Sequence, residues 1–355
     1  MKRILSFALA SALMLGLVSC GNTSTPNNGG SSGANNGGGS GGASSADAGY
    51  DKLNLKISYA TGDTGMDGIV AIKFEELVEE KSGGAIQIER FPNCQLVGGN
   101  MERHVEMMVA GGAFELAIIS TSSFNTVDNR FYIAGTPFLF PTYDAMWECM
   151  DSTGGEFMNE VYADYNIKRL DTFPNGLQHI ANDKRPITCV ADMKDLKMRA
   201  YGDTQMKLQR ALGADPVNMS WSELYSALQT GTVDGNTNGY QTMYSGSFTE
   251  VQHYITECGI IASTYDILAN MTNWNSWSSA TQELLQECAT EAAHYGRDYM
   301  VEVEAECKQA FLDAGCTITV LNEEQLQEFK DAAADVINEC KELAGPEACK
   351  AYGLD

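Results

Sequence analysis

The sequence predicts an α/β protein made of two successive units of alternating strands and helices, followed by long helices near the C-terminus. Three observations support this fold class. Strand and helix periodicities alternate through residues 53–119, the alternation resumes over residues 168–230, and helical periodicity then dominates residues 280–343. Ligands of α/β sheets bind beyond the carboxyl ends of the strands, so we expect a ligand between the two units.

The first unit contains three predicted strands and two predicted helices. Its first helix carries an apolar stripe that includes Val70, Phe74 and Leu77, and Gly83-Gly84 ends it. The third strand is a continuous apolar run, which is typical of a strand buried on both faces of a parallel sheet. The predicted strands are residues 53–59, 85–91 and 114–119, and the predicted helices are residues 67–80 and 100–110.

The second unit begins again with strands and passes into helices. Ser220-Trp221-Ser222-Glu223 is a capping-box pattern that opens a helix running to Thr230, with Gly231 at its end. The remaining predicted elements are strands at residues 168–173 and 196–200 and helices at residues 204–212, 280–314 and 323–343.

The first twenty residues are predicted to be a processing signal. Lys2 and Arg3 precede an apolar stretch at residues 4–18, which is shorter than the about 20 residues that a membrane span needs. It ends in Leu17-Val18-Ser19-Cys20, which resembles the bacterial lipobox, so the pattern predicts lipidation of Cys20. The alternative is an ordinary secretory peptide with a chance cysteine.

Residues 21–49 are rich in Gly, Ser and Asn and contain almost no bulky apolar side chain. Such a segment cannot bury enough surface to offset its chain entropy, so it is predicted to be a flexible tether. Signal and tether together predict an exported protein, lipid-anchored to the outer face of the cytoplasmic membrane, at the cell surface or in the periplasm.

The formal net charge of -24 over 355 residues restricts the kinds of molecule that we expect the protein to bind. Such acidity argues against nucleic acid, because phosphate binding needs basic patches. It does not exclude a small anionic ligand, which one local arginine can hold. No later apolar run is long enough to cross a bilayer, so we expect the folded body to lie outside the membrane.

The ten cysteines are not spaced like a metal site. No pair has Cys-x-x-Cys spacing and the four histidines are scattered, so the sequence predicts neither a metal nor a cofactor. Lipidation of Cys20 would leave nine cysteines, an odd number, so at least one of them would be unpaired. Cys288 and Cys307 lie on apolar helix faces, which favours buried free thiols. A Cys340–Cys349 bridge stays an open alternative.

Several motifs follow one another along residues 53–355. They are Glu-Glu-Leu-Val-Glu-Glu-Lys-Ser-Gly-Gly at 75–84, Phe-Pro-Asn-Cys-Gln-Leu at 91–96, Thr-Pro-Phe-Leu-Phe at 136–140, Asp-Met-Lys-Asp-Leu-Lys-Met-Arg at 192–199, and the runs at 212–217, 223–231 and 233–238. Together they resemble the DctP-type binding proteins of TRAP transporters, which are ion-driven tripartite carriers.

The resemblance implies a two-lobed, periplasmic-binding-protein-like clamshell, with lobe I at residues 50–175 and 265–304 and lobe II at residues 176–264 and 305–355. It also implies a binding subunit that captures a small organic acid and delivers it to integral-membrane TRAP subunits.

The same resemblance implies which residues contact the ligand. Arg199 is expected to pair with the carboxylate, since its planar fork matches a carboxylate bidentately and lysine cannot reproduce this. Asn238 is expected to reach the ligand and Trp221 to line the cleft, with Ser120, Thr121 and Thr61 contributing from the other lobe. The competing interpretations are a surface ion pair for Arg199, a turn role for Asn238, core packing for Trp221, and capping or turn roles for the hydroxyl residues.

Gln178 is also expected to be a ligand-binding residue, but it departs from the family pattern, because many members carry a second arginine at this position. A neutral amide adds no charge, so dicarboxylates and strongly anionic sugars are less expected as ligands. Whether His179 or Arg185 replaces the missing arginine is left open by the sequence.

Other function classes have weaker support. The predicted folded region contains no Gly-x-Ser-x-Gly elbow, no His-Glu-x-x-His and no phosphate-binding glycine loop, so we expect no enzymatic activity. Composition alone does not rule out the paired carboxylates of a surface hydrolase. The main alternative is the binding lipoprotein of an ATP-driven importer, which would share anchor, tether and clamshell.

Overall fold

The computed structural model describes residues 49–354. The predicted signal peptide, Cys20 and almost all of the tether lie outside the described residues. Within that range the strands are β1 (Leu53–Tyr59), β2 (Ile86–Phe91), β3 (Leu116–Ser120), β4 (Ile167–Asn182), β5 (Lys197–Ala200), β6 (Asp215–Asn218), β7 (Gly235–Asn238), β8 (Tyr254–Asn270) and β9 (Thr317–Val320).

The α-helices of the same range surround these strands. They are α1 (Met66–Lys81), α2 (Met101–Ala110), α3 (Tyr143–Met150), α4 (Thr153–Ala163), α5 (Gly202–Ala211), α6 (Trp221–Gln229), α7 (Tyr240–Ser245), α8 (Met271–Trp274), α9 (Ser279–Asp313), α10 (Glu323–Ala332) and α11 (Ala334–Ala351). The predicted elements of the first unit are confirmed to within two residues at each end.

All of these strands belong to one sheet with the order β2-β1-β3-β8-β4-β7-β5-β6, and β9 pairs with β8. Two groups of parallel strands, β1 to β3 and β5 to β7, lie on either side of the antiparallel pair β4 and β8. The C-terminal part of β8 pairs with β3, whereas the C-terminal part of β4 pairs with β7. The two central strands therefore connect both groups.

The central pair is where sequence and structure differ most. The predicted strand at residues 168–173 continues to Asn182, and β8 was not predicted at all. Pro174-Asn175-Gly176 is a sequence typical of a turn, but the chain stays paired with β8 through a register shift at this segment and one on either side of it. Gly176 has a φ of +122°, and a Cβ there would lie 3.4 Å from the Cα of Gly239. This position, where β4 passes close to Gly239, therefore requires glycine.

Helix α9 packs along both groups of strands. Leu285 and Met300 belong to a core shared with β1 and α1, whereas Phe311 belongs to a core shared with α6 and α7. The helix approaches α1 closely, since a Cβ on Gly296 would lie 2.6 Å from a methyl carbon of Val70. The predicted lobe boundaries at residues 175/176, 264/265 and 304/305 fall within β4, β8 and α9 and stay a prediction.

Three further predictions from the sequence can be compared with the structure. The single helix predicted at residues 323–343 is two helices, α10 and α11, and α11 continues to Ala351 through a kink at Gly345, whose φ is +84°. All nine cysteines of residues 49–354 are free thiols, so a Cys340–Cys349 bridge is excluded. No helix in the described range is both long and apolar enough to cross a membrane.

Candidate ligand-binding site

Arg199 lies on β5 between Met198 and Ala200, and the three side chains are buried. Its Nε donates a hydrogen bond to the carbonyl oxygen of Met219 at 3.2 Å, and its guanidinium carbon lies 4.7 Å from the ring centroid of Tyr201. Four other arginines pair with carboxylates, whereas Arg199 has no acidic partner among residues 49–354. The surface ion pair considered for Arg199 is therefore absent from this range.

The buried environment of Arg199 changes the pKa of its guanidinium. Burial lowers the pKa of Arg199 from 12.5 to about 10, because the low-dielectric surroundings disfavour the charged form. The guanidinium still carries a full positive charge at neutral pH. A buried cation without a counterion is an unusual state, and it makes this position a candidate for binding an anion.

Arg199 lines a cavity of about 30 Å³ together with four other residues that the sequence analysis singled out. Those four are Thr61, Ser120, Trp221 and Asn238, and the remaining lining residues are Ala60, Met101, Asn175, Tyr201, Thr242 and Tyr265. Thr61 and Ser120 lie at the ends of β1 and β3, and Asn238 ends β7. The cavity is thus at the carboxyl ends of the parallel strands, where α/β sheets bind ligands.

Asn238 is a buried strand residue rather than part of a turn. It is 4% exposed, and it pairs with His179 across β7 and β4. Its Nδ2 donates to Oδ1 of Asn236 at 2.8 Å, and Asn236 in turn donates to Gln252 at 3.2 Å. The turn interpretation of Asn238 is therefore wrong, and the chain of amides holds its side chain at the cavity.

Trp221 is the first residue of α6 and combines both roles considered for it. Its ring lies 5.3 Å from the ring of Phe248, and it also lines the cavity. The backbone N–H of Ser220 donates to Oε2 of Glu223 at 3.2 Å, so Glu223 acts as the predicted capping residue. The cap fixes the helix start and with it the position of Trp221.

Asp67 organises the end of β1, and the sequence analysis did not identify it. Its carboxylate is fully buried and accepts hydrogen bonds from the backbone N–H groups of Ala60 and Thr61 at 2.9 Å and from the Thr61 hydroxyl. Burial raises its pKa, while these hydrogen bonds oppose the rise. An acidic residue in the first turn of a helix directly after a strand is the signal that could have identified it.

Two of the predicted residues do not line this cavity. Thr121 is turned towards Asp266, to which its hydroxyl donates at 2.6 Å. Gln178 lies behind the lining, where it accepts a hydrogen bond from Gln205 at 3.1 Å and donates to the hydroxyl of Tyr201 at 3.4 Å. Gln178 therefore contacts the lining residue Tyr201 without being part of the lining.

Neither residue considered as a replacement for a second arginine adds a charge here. His179 accepts a hydrogen bond from the backbone N–H of Gly259 at 3.2 Å, and burial lowers its pKa to about 4, so it is neutral at neutral pH. Arg185 donates to the backbone carbonyl oxygens of Asp192 and Lys194. Arg199 is thus the one cation in the lining of the cavity.

Tyr201 and Tyr265 were missed for different reasons. Tyr201 follows Arg199 by two residues, and an Arg-x-Tyr spacing at a strand end is compatible with the cation–π contact that the structure shows. Tyr265 lies on β8, opposite Ser120 of β3. Because β8 was not predicted, no local signal pointed to Tyr265.

A second, larger cavity of about 320 Å³ adjoins the first, and Met101 and Tyr201 line both. Below, the cavity at Arg199 is called the inner cavity and the larger one the outer cavity. Hydroxyl and amide side chains contribute much of the outer lining, and Met219 and Ile261 add apolar surface.

Comparison with known proteins gives a consistent result. The family model described as bacterial extracellular solute-binding protein, family 7, matches residues 57–343. The C4-dicarboxylate-binding periplasmic protein DctP of Rhodobacter capsulatus is 28% identical over 87% of this chain and 92% of its own length. The 2,3-diketo-L-gulonate-binding periplasmic protein YiaO of Escherichia coli is 25% identical over 81% of this chain and 86% of its own length.

Solved structures agree on the fold. A TRAP periplasmic solute-binding protein from Ralstonia eutropha with bound (S)-2-acetolactate has a TM-score of 0.82 at 25% identity, covering 85% of this chain and 98% of that one. A TRAP periplasmic solute-binding protein from Shewanella oneidensis with bound succinate has a TM-score of 0.79 at 26% identity, covering 84% and 98%. The predicted α/β clamshell with long C-terminal helices is confirmed.

Proposed function

Because this chain belongs to family 7 of the bacterial extracellular solute-binding proteins, we propose that it captures a small organic acid outside the cytoplasm and delivers it to the integral-membrane subunits of a TRAP-type transporter. Arg199 holds the carboxylate of this ligand in the inner cavity. Relatives named for C4-dicarboxylate and 2,3-diketo-L-gulonate, and related structures with bound succinate and (S)-2-acetolactate, support the ligand class.

The unpaired state of Arg199 is the observation that carries the proposal. The guanidinium contacts one carbonyl oxygen and the ring of Tyr201, and its charge has no counterion among residues 49–354. A carboxylate entering the cavity would supply both the opposite charge and the lone pairs that the guanidinium fork needs. Asn238 has a second amide proton, and it and the hydroxyl group of Ser120 lie in the same lining and can donate to further ligand oxygens. The Thr61 hydroxyl lines the cavity as well, but its proton is donated to Asp67.

The experiment is a calorimetric titration of the purified protein against a panel of organic acids, followed by two substitutions. Arg199→Met should weaken binding of the acid found by about 2–5 kcal/mol, the usual loss when one partner of a buried charged pair is removed. Arg199→Lys should also weaken it, since the charge remains but the fork is lost. Arg210→Met, at an exposed position on α5, is the matched control and should bind normally. Near-normal affinity of Arg199→Met would refute the proposed carboxylate site.

The same proposal includes export, lipidation of Cys20 and attachment through the tether. Mass spectrometry of the mature N-terminus tests it, and an intact signal peptide or an unmodified Cys20 would refute it. The family favours binding over catalysis, so we propose no enzymatic activity. An ATP-driven importer as the partner is the less favoured alternative, and co-purification of the binding protein with its membrane subunits distinguishes the two.

A further inference from the structure

The two adjoining cavities differ in size in a way that bears on the ligand. A single water needs about 10–15 Å³ on this scale, so the inner cavity has room for about two such groups. This matches the two oxygens of a carboxylate and little more. The outer cavity, at about 320 Å³, is an order of magnitude larger. A ligand whose carboxylate reaches Arg199 therefore has to place the rest of its atoms in the outer cavity.

Within the described part of the chain, the lining of the outer cavity contains no positively charged side chain. Its one charged lining residue is Glu102 on α2, whose side chain is exposed. The polar lining is otherwise neutral and includes Ser123, Asn125 and Asn218. The hydroxyl oxygen of Ser123 is buried and has no hydrogen-bond partner among residues 49–354. An unsatisfied buried hydroxyl is costly, and a ligand group could satisfy it.

Apolar side chains complete the outer lining. Met101, Met219 and Ile261 present carbon and sulfur surface beside the hydroxyl and amide groups. Such a mixed lining suits a tail with a carbon skeleton and uncharged hydrogen-bonding groups. A second carboxylate would lose its hydration there, face Glu102, and find no cation.

From these observations we infer that the outer cavity is a second compartment of the binding site, which accepts the uncharged tail of a monocarboxylate and discriminates against a second carboxylate. The inference rests on the proposed binding of a carboxylate at Arg199. Tyr201 and Met101 mark the junction of the two compartments, since both residues line both cavities. Specificity then comes from the charge of the outer cavity, and affinity for the head group comes from Arg199.

Acids of equal chain length that differ only in the terminal group test this inference. We expect the protein to bind 4-hydroxybutyrate more tightly than succinate, and 6-hydroxyhexanoate more tightly than adipate, by about tenfold or more in each pair. Titration calorimetry of the purified protein measures the four affinities under one buffer condition.

A charge placed in the outer cavity sharpens the test. Asn125→Lys should shift the ratio of affinities towards the dicarboxylates by about tenfold or more, because the new ammonium group would pair with the second carboxylate. Ser226→Lys adds the same charge at an exposed position of α6 outside both cavities and should leave the ratio unchanged. Arg199→Met should weaken both members of each pair alike.

The outcomes separate the inference from the function on which it rests. The second compartment is refuted if the dicarboxylates bind as tightly as the hydroxy acids, or if Asn125→Lys does not change the ratio of the two affinities. The carboxylate site still stands in that case, provided that Arg199→Met abolishes binding. If none of the acids binds, or if binding does not depend on Arg199, the proposed function itself fails.

Discussion

Two arginines are buried in the same sheet and differ in how their charge is met. Arg169 on β4 donates from Nε to Oδ1 of Asp266 at 2.7 Å, and Asp266 also accepts from the hydroxyls of Thr121 and Tyr162. Arg199 on β5 has no carboxylate partner within residues 49–354 and faces a cavity. Among residues 49–354 the fold thus contains a counterion for Arg169 and none for Arg199.

The pKa directions of the two arginines show the same contrast. Burial opposes the charge of Arg169, but Asp266, together with Tyr162 and Asp171, more than offsets it, so the pKa of Arg169 is raised. Burial acts on Arg199 without this compensation and lowers its pKa. A buried charge without a partner generally weakens a fold, so the comparison supports the proposal that Arg199 serves binding rather than stability.

Removing Arg169 should have the largest effect. Arg169→Met leaves the carboxylate of Asp266 buried without its cation, which should lower the free energy of unfolding by about 3–5 kcal/mol. Urea denaturation measures this. The double variant Arg169→Met/Asp266→Asn is the matched control and should recover much of the loss, because the stranded charge is gone. A loss below about 1 kcal/mol would show that the pair contributes little.

Acid titration should affect neither arginine, but it reaches the buried histidines, whose share is separated from that of the carboxylates by substitution. His104 on α2 is almost fully buried, and burial lowers its pKa from 6.5 to about 4. The unfolded chain then binds more protons between these pH values. The stability from neutral His104 is therefore complete above about pH 6.5 and is lost as the pH falls towards 4, by up to about 3 kcal/mol.

Urea denaturation at several pH values checks this dependence. His179, whose pKa is lowered to about 4 as well, should behave in the same way. His104→Gln should reduce the slope of unfolding free energy against pH, whereas His294→Gln, at an exposed position on α9, should not. An unchanged slope in His104→Gln would contradict the prediction.

Removing Arg199 from the ligand-free protein should have the opposite sign to removing Arg169. Arg199→Met eliminates an uncompensated buried charge, so the free energy of unfolding should stay the same or rise by about 1–3 kcal/mol. The same denaturation experiment without added ligand measures it. A loss as large as that of Arg169→Met would mean that Arg199 is a structural residue and that the comparison is mistaken.

The smallest effect is expected at Trp221, which borders the inner cavity and packs on Phe248. Trp221→Phe keeps an aromatic ring, so stability and affinity should each change by less than about 1 kcal/mol. The fluorescence change on ligand binding should nevertheless disappear. Trp147→Phe is the control, since Trp147 packs on Arg297 outside the cavity and its loss should leave the signal intact. If the fluorescence change on ligand binding persists in Trp221→Phe, another residue than Trp221 reports binding.

Local patterns in the sequence were enough to predict much of this protein. The apolar stripe of α1, the capping box of α6 and the apolar run of β3 depend on residues a few positions apart, and all three appear as predicted. The motif around Arg199 also identified the residue that the cavity surrounds. Periodicity and capping are short-range effects, which is why a single sequence reveals them.

The pairing of charges depended on the tertiary structure instead. Arg169 and Asp266 are 97 residues apart, and β8, which carries Asp266 and Tyr265, is buried along most of its length and shows no alternation of apolar and polar residues. Nothing near Arg169 or Arg199 in sequence shows that one has a counterion and the other does not. Only the folded sheet brings β4 against β8 while β5 stays at the cavity, and this placement decides which of the two arginines has a carboxylate partner within residues 49–354.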